Sequence, residues 1–174
     1  MEVEVKRGGS LVEGQLPTGW ARKPCSKTGD TIAGKALNSK GAGTLQPYLR
    51  TINVLDGSID LEDVLEMPFT GSEFEKYRLQ YGDVLLNEGQ TLELVGRCSM
   101  YRDEYPGECG IQNQLLRFRP YCDVYAPYAE QLFRYCQQTD VFEGIATQTT
   151  SVAHIGLNRF RKLELPWPSN YDEQ

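Results

Sequence analysis

The fold prediction starts from Tyr81-Gly82-Asp83-Val84-Leu85-Leu86, a stretch that joins a turn signal to an apolar run. Gly82-Asp83 is typical of a turn that enters a strand, and Val84 to Leu86 predicts that strand. A second apolar run, Leu92 to Val95, predicts another strand on the far side of Glu88-Gly89. These two strands are expected at the centre of the fold.

More strands are predicted on both sides of this centre. Tyr48 to Val54 is rich in residue types that favour strands. Asn113 to Arg119 alternates polar and apolar residues, as a half-buried strand does, and Lys162 to Leu165 predicts a further strand. Residues 26–46 hold few large apolar side chains. We therefore expect a long loop there that is either mobile or part of a binding site.

Three short helices are predicted between the strands. Thr70 or Ser72 can cap the first, Pro127 to Gln138 carries an apolar stripe at helical spacing, and a third is expected at Ile155 to Phe160. Strands and helices follow one another without a repeating βαβ rhythm. This order favours an α+β fold, a mixed or antiparallel strand scaffold with a few short helices in a single domain.

The length of 174 residues suffices for one domain with a normal core. Residues 1–15 contain Gly8-Gly9-Ser10 and predict a flexible lead-in, so the folded domain is expected at 16–174. Hydrophobic residues make up 40% and charged residues 24%, as in soluble globular proteins. No apolar run is long enough for a bilayer, and Met1 to Arg7 lacks the apolar segment of a signal peptide. We therefore expect a cytoplasmic protein without a membrane partner.

The cysteines predict neither a disulfide framework nor a metal site. They are odd in number, form no CxxC pair and, together with the single histidine, match no zinc-ligand spacing. We expect reduced thiols and no bound metal. The cysteines are Cys25, Cys98, Cys109, Cys122 and Cys136.

The net charge of −6 is unevenly distributed along the chain. Residues 1–50 carry eight Lys and Arg against four Asp and Glu, whereas residues 51–110 carry four against thirteen. A folded domain could gather the terminal cations on one face, and a polyanion meets that local potential rather than the net charge. Scattered solubilising charge would account for the same counts.

Signals for catalysis are sparse. Lys40-Gly41-Ala42-Gly43-Thr44 lacks the spacing of a phosphate-binding loop. A hydrolase would have to use the single histidine, His154, with a nearby hydroxyl, and that alternative stays open. A protein-binding adaptor, whose acidic middle meets a basic partner, is the second alternative.

Two uncharged polar stretches fit nucleic-acid recognition. Gln112-Asn113-Gln114 and Gln148-Thr149-Thr150-Ser151 carry amides and hydroxyls, which can pair with base edges, while Arg and Lys side chains position phosphates. Such residues also suit ordinary strand and loop surfaces, so composition alone does not decide. The candidate DNA-binding residues are Lys27, Lys35, Lys40, Arg50, Arg97, Gln112, Asn113, Gln148, Thr149, Thr150, Ser151 and His154.

Several short phrases, in this order, resemble one family. The phrases are Leu16-Pro17-x-Gly19-Trp20, Pro47-Tyr48-Leu49-Arg50-x-x-Asn53, Tyr81 to Leu86, Leu94-Val95-Gly96-Arg97, His154-Ile155, and Leu163-Glu164-Leu165-Pro166-Trp167-Pro168 followed by Glu173-Gln174. In order and spacing the chain resembles the target recognition domain of type I restriction–modification specificity subunits. The resemblance runs from about residue 16 to 174.

The resemblance implies a non-enzymatic module that reads double-stranded DNA. Specificity subunits of this family carry two such domains joined by long helices, and each domain reads one half of a split target. Methyltransferase subunits, which hold S-adenosylmethionine, and a restriction–translocase subunit are the implied partners, so no cofactor is expected on this chain. Because only one such domain is present, we expect an excised domain or a short subunit. The DNA-contacting side chains of the family vary with the target, so the candidate residues rest on chemistry and position.

Overall fold

A computed structural model describes residues 14–174, so residues 1–13 of the predicted lead-in lie outside the described part. The expected α+β class is confirmed. The strands are β1 (Trp20–Pro24), β2 (Gly29–Ala33), β3 (Thr44–Leu49), β4 (Leu65–Phe69), β5 (Val84–Asn87), β6 (Gly89–Gln90), β7 (Cys98–Met100), β8 (Gly110–Ile111), β9 (Leu115–Pro120), β10 (Thr147–Gln148), β11 (Ala153–His154) and β12 (Glu164–Pro168). The α-helices are α1 (Gly71–Tyr77), α2 (Ala126–Gln138), α3 (Val141–Ile145) and α4 (Leu157–Lys162).

The central sheet has the antiparallel order β2-β9-β5-β7. Leu86 pairs with Leu116 on one side and with Cys98 on the other. All four residues of β5 are buried, because side chains of alternating direction enter two different cores on the two faces of the sheet. The strand predicted at Val84 to Leu86 is therefore confirmed and lies in the middle of the fold.

The larger core lies between the central sheet and the helices α2, α3 and α4. Phe118 of β9 meets Phe133 of α2 edge to face, with ring centroids 5.0 Å apart, and stacks on Trp167 of β12 at 6.3 Å. Phe133 also meets Phe160 of α4 at 5.3 Å. Aromatic pairs in these arrangements add to the stabilisation from burial, and they join the last strand and helix to the central sheet.

Three smaller sheets surround the central one. Strands β4, β3 and β8 form a mixed sheet in which β3 and β8 are parallel. Strands β1 and β12 form an antiparallel pair, and β10, β11 and β6 form a third, antiparallel sheet.

Two predicted strands were wrong in part or in full. The strand expected at Tyr48 to Val54 ends at Leu49, because Asn53 accepts a hydrogen bond from the Arg50 N–H and donates to the Asp60 carbonyl, which holds Thr51–Asn53 in a 3₁₀ turn. The run Leu92 to Val95 forms turns, with the Val95 N–H donating to the Thr91 carbonyl.

The long loop expected at residues 26–46 was wrong in part, because this range contains β2 and the start of β3, while residues 34–43 form the connection between them. Its small polar residues form a strand since β2 pairs along its whole length with β9. The strand expected at Asn113 to Arg119 is β9, but it is not half-buried: Arg117 is 4% exposed and donates to the Lys76 carbonyl and to Asp30. Burial and the neighbouring Arg119 lower the pKa of the Arg117 guanidinium.

The three predicted helices are confirmed at nearly their expected places. Thr70 caps α1 through a capping box with Glu73, and α2 begins one residue before Pro127. The helix expected at Ile155 to Phe160 is α4, two residues further along, and the strand that follows it is β12.

Candidate nucleic-acid interface

One end of the central sheet collects most of the candidate residues. Strands β2 and β5 both run antiparallel to β9, so their last residues lie beside the first residues of β9 and β7. Lys35 follows β2, Glu88 follows β5, Gln112-Asn113-Gln114 precedes β9, and Arg97 precedes β7. The topology therefore brings residues that are far apart in the sequence together at one end of the central sheet.

Backbone hydrogen bonds join the pieces of this edge. The Asn113 N–H donates to the Lys35 carbonyl at 2.9 Å, and the Glu88 N–H donates to the Gln114 carbonyl at 2.9 Å. The Gln112 N–H donates to the Leu49 carbonyl at 3.0 Å, which sets the 112–114 turn beside Arg50.

A β-hairpin continues the edge beyond Glu88. Strands β10 and β11 pair with each other, and β11 pairs with β6, so that His154 lies opposite Gly89. We call residues 147–154 the recognition hairpin. Its residues Gln148, Thr149, Thr150, Ser151 and Val152 are all exposed. The recognition hairpin, Gln90 and the 112–114 turn together form what we call the polar edge.

Two charged side chains hold the recognition hairpin at its base. The Glu88 carboxylate accepts hydrogen bonds from the Gly156 N–H at 3.2 Å and lies 3.1 Å from His154 Nδ1. Arg159 donates to the Thr147 hydroxyl at 3.0 Å, to the His154 carbonyl at 2.9 Å and to the Ile155 carbonyl at 2.7 Å. The hairpin is thus fixed by charged groups, whereas its outer residues carry none.

Three of the candidate cations are already held by other groups of the chain. Lys35 is 8% exposed, and its Nζ lies 2.5 Å from Glu73, whose pKa this hydrogen bond and the Thr70 N–H lower. Arg50 pairs with Asp63. Arg97 Nε donates to the Val54 carbonyl at 3.1 Å.

The two remaining candidate cations are exposed but lie in different places. Lys40 lies in a turn between β2 and β3. Lys27 precedes β2 and therefore lies at the opposite end of the central sheet, roughly 15 Å away along a five-residue strand. The role of Lys40 in positioning phosphates stays a prediction, whereas Lys27 does not join the polar edge.

The candidate residues predicted from the sequence leave out two kinds of residue at the polar edge. Gln90 and Gln114 extend the uncharged polar surface, and Glu88 and Arg159 support the hairpin. Gln90 gave no signal, because a two-residue strand is too short to show periodicity. Gln114 belongs to the uncharged run 112–114, from which Gln112 and Asn113 were predicted as DNA-binding residues.

The hydrolase alternative requires a hydroxyl beside His154. Within residues 14–174 the ring nitrogens of His154 have no hydroxyl within hydrogen-bonding distance, and its partner is Glu88. The described residues also contain no group of three or more His, Cys, Asp or Glu side chains placed to hold a metal ion. No helix among residues 14–174 combines the length and apolarity needed to cross a membrane.

Comparison with known proteins supports the family resemblance. The chain is 23% identical over 163 residues to a protein of Methanocaldococcus jannaschii assigned as the type I restriction enzyme MjaX specificity subunit; the match covers 89% of this chain and 37% of that protein. No family profile matches the chain.

Solved structures show the same fold. A chain from a structure of type I restriction–modification complex assembly and conformational transition superimposes with a TM-score of 0.61 at 17% identity, covering 90% of this chain and 36% of that one. The HsdS subunit of Thermoanaerobacter tengcongensis gives 0.61 at 16% identity, with 92% and 36% covered. The type I S subunit of M. genitalium gives 0.57 at 14% identity, with 94% and 39% covered. The chain thus spans little more than a third of the length of these proteins.

Proposed function

We propose that this chain is a DNA target recognition module that reads one half-site of a bipartite target for a type I restriction–modification system. The observation that carries the proposal is the polar edge, where the fold places uncharged amides and hydroxyls on an exposed hairpin and an adjacent turn. The similarity to specificity subunits supplies the biological setting.

The chemistry of the polar edge suits base readout. Gln and Asn amides can pair with two adjacent atoms of adenine, and Ser and Thr hydroxyls can contact several bases. A two-stranded ribbon also fits the major groove of B-form DNA. Gln148 to Ser151 lie at the exposed end of such a ribbon, and none of these side chains carries a formal charge.

The charges of the whole chain predict that it binds DNA weakly on its own. Its net charge is −6, and Lys35, Arg50 and Arg97 are held by groups of the chain itself. With few phosphate contacts, the affinity of the chain alone should be on the order of micromolar or weaker. Higher affinity would come from assembly with a second recognition domain and with methyltransferase subunits.

The chemistry of the system would reside on those partners. We propose that methyltransferase subunits carry S-adenosylmethionine, that a restriction–translocase subunit cleaves, and that this chain catalyses no step in the cytoplasm. Calorimetry of the chain with S-adenosylmethionine should show no binding. Stoichiometric binding would contradict the division of labour.

Selection from a random duplex pool tests the proposal. The chain assembled with methyltransferase subunits should enrich one short sequence, and binding should weaken steeply with salt. If no sequence is enriched from the pool, the proposal is refuted. Binding that is insensitive to salt would also refute it, since both a hydrolase and an adaptor for basic proteins lack the counterion release of a DNA reader.

A further inference from the structure

A second surface lies at the opposite end of the central sheet from the polar edge. It is an open cavity of about 490 Å³ near Asp83 and the start of α2. Tyr81, Tyr121, Tyr125 and Tyr171 line it and are 67%, 45%, 41% and 49% exposed. These are four of the nine large hydrophobic side chains exposed in residues 14–174, so the exposed aromatic surface is concentrated here.

The walls of this tyrosine cavity are fixed by the chain itself. Gln174 accepts a hydrogen bond from the Tyr125 N–H at 2.7 Å and donates to the carbonyls of Asp123 and Pro168. The ring of Tyr171 therefore meets that of Tyr125 edge to face, with centroids 5.5 Å apart. A preformed cavity of this kind loses little entropy when a ligand enters.

Among the described residues that line the cavity, the cation is paired with a carboxylate. This cation is Arg119. Its Nε donates to Asp83 Oδ1 at 2.7 Å and its Nη2 donates to Asp83 Oδ2 at 2.8 Å. The neighbouring Arg102 is bound by Glu130 at 2.5 Å. The positive charges of both arginines are thus paired with carboxylates. The groups of the lining that remain to contact a ligand include the four tyrosine rings.

Exposed carboxylates adjoin the lining residues along the chain. Asp123, Asp172 and Glu173 are exposed on the same segments as the lining tyrosines. Lys27 precedes Thr28, whose carbonyl accepts a hydrogen bond from the Tyr121 N–H. Carboxylates beside the lining tyrosines repel phosphates and attract cations.

We propose that the tyrosine cavity binds an arginine or lysine side chain presented by a partner protein. Tyrosine faces attract cations through the ring quadrupole, and nearby carboxylates strengthen that attraction. The site is independent of the proposed DNA reading, since it lies on the other end of the sheet. It would allow a protein to dock while the polar edge remains free for DNA.

The probe for a test is the peptide acetyl-Gly-Arg-Gly-amide, with the citrulline peptide as a neutral control of nearly the same shape. Tyrosine side-chain NMR resonances should shift with the arginine peptide, with a dissociation constant on the order of millimolar. The citrulline peptide should cause shifts at least fivefold smaller at the same concentration. Added salt should weaken the arginine effect.

Variants separate the rings from the charges. Tyr121→Ala should weaken binding several-fold, whereas Tyr121→Phe, which keeps the ring, should stay within about twofold of the parent. Asp123→Asn with Asp172→Asn should lower both affinity and salt sensitivity. Because these side chains are exposed, the fold should persist, which the remaining spectrum would verify.

Three outcomes would overturn the inference. The first is an equal response to the citrulline peptide, which would mean that charge is not recognised. The second is no shift of these tyrosines at tens of millimolar arginine peptide. The third is stronger binding of a short single-stranded oligonucleotide at the same rings, which would make the cavity a base-stacking site.

Discussion

Replacing Glu88 by alanine tests whether the base of the recognition hairpin determines DNA reading. The carboxylate is 16% exposed, holds the Gly156 N–H at 3.2 Å and lies 3.1 Å from His154 Nδ1. Its removal leaves the Gly156 N–H without its partner and removes the side-chain contact of His154, whereas the backbone pairing of β11 with β6 remains. We therefore expect the hairpin to become more mobile while the two cores stay intact.

The size of the effect follows from the two contacts. A hydrogen bond to a charged group contributes about 1.5–3 kcal/mol when buried. The side chain of His154 is 42% exposed, so its contact counts for less. We therefore take the free-energy cost of Glu88→Ala to be about 2 kcal/mol. If all of this cost appears in target binding, the affinity for the target falls roughly 30-fold.

The sign of the effect makes this variant informative. Removing a negative charge beside DNA should by itself strengthen binding to every sequence. Loss of hairpin support predicts instead that affinity for the selected target falls, while affinity for random duplex stays equal or rises. Glu88→Gln, which keeps the shape and one acceptor oxygen for Gly156, should lose much less.

Fluorescence anisotropy with selected and random duplexes measures both affinities. Amide hydrogen exchange in residues 147–154 reports hairpin order independently. If Glu88→Ala binds target and random DNA more tightly by the same factor, the hairpin base has no part in reading. Unchanged exchange together with lost target affinity would refute the argument from hairpin order.

The remaining predictions concern the scaffold, the thiols and the phosphate contacts. Asp83→Ala should destabilise the fold by about 3 kcal/mol in urea unfolding, because Asp83 is 1% exposed and binds Arg119 and the Gln80 N–H; a change below 1 kcal/mol would contradict this. At pH 8 a thiol reagent should modify exposed Cys122 alone, because burial raises the pKa of Cys109 and Cys136 to about 12 and that of Cys25 and Cys98 well above its ordinary value; rapid loss of a second thiol in the native protein would show that reasoning wrong. Lys40→Ala should reduce the slope of log affinity against log salt by about one, while Lys27→Ala should leave it unchanged; the reverse result would place the DNA at the other end of the sheet.

Local sequence patterns predicted the elements whose signals lie within a few residues. Thr70 with Glu73 forms a capping box, and the apolar stripe of α2 has helical spacing, so both helices were found. Strand β2 was missed, because its small and polar residues are held by pairing with β9, which is almost ninety residues away along the chain.

The candidate site likewise divides into features with local sequence signals and features that depend on contacts between distant residues. The sequence identified the uncharged runs 112–114 and 148–151, since residue chemistry is local. It did not reveal that Lys35 faces Glu73 or that Arg50 faces Asp63, because ion pairs between distant residues depend on the fold. For that reason the sequence did not indicate the surroundings in which the structure places these lysines and arginines.

Sequence selection with variants of the polar edge tests the central claim most directly. The chain with Gln148→Ala and Thr150→Ala, in its assembly with methyltransferase subunits, is compared with the parent and with Thr18→Ala, an exposed threonine outside the edge. Each lost base contact should cost roughly 1–3 kcal/mol on the target alone. We predict that the double variant loses preference at one or two base positions and keeps its salt-dependent binding to random DNA, whereas Thr18→Ala selects the parental sequence. Selection of the same sequence, with the same strength, by the double variant would contradict the claim that the recognition hairpin reads DNA.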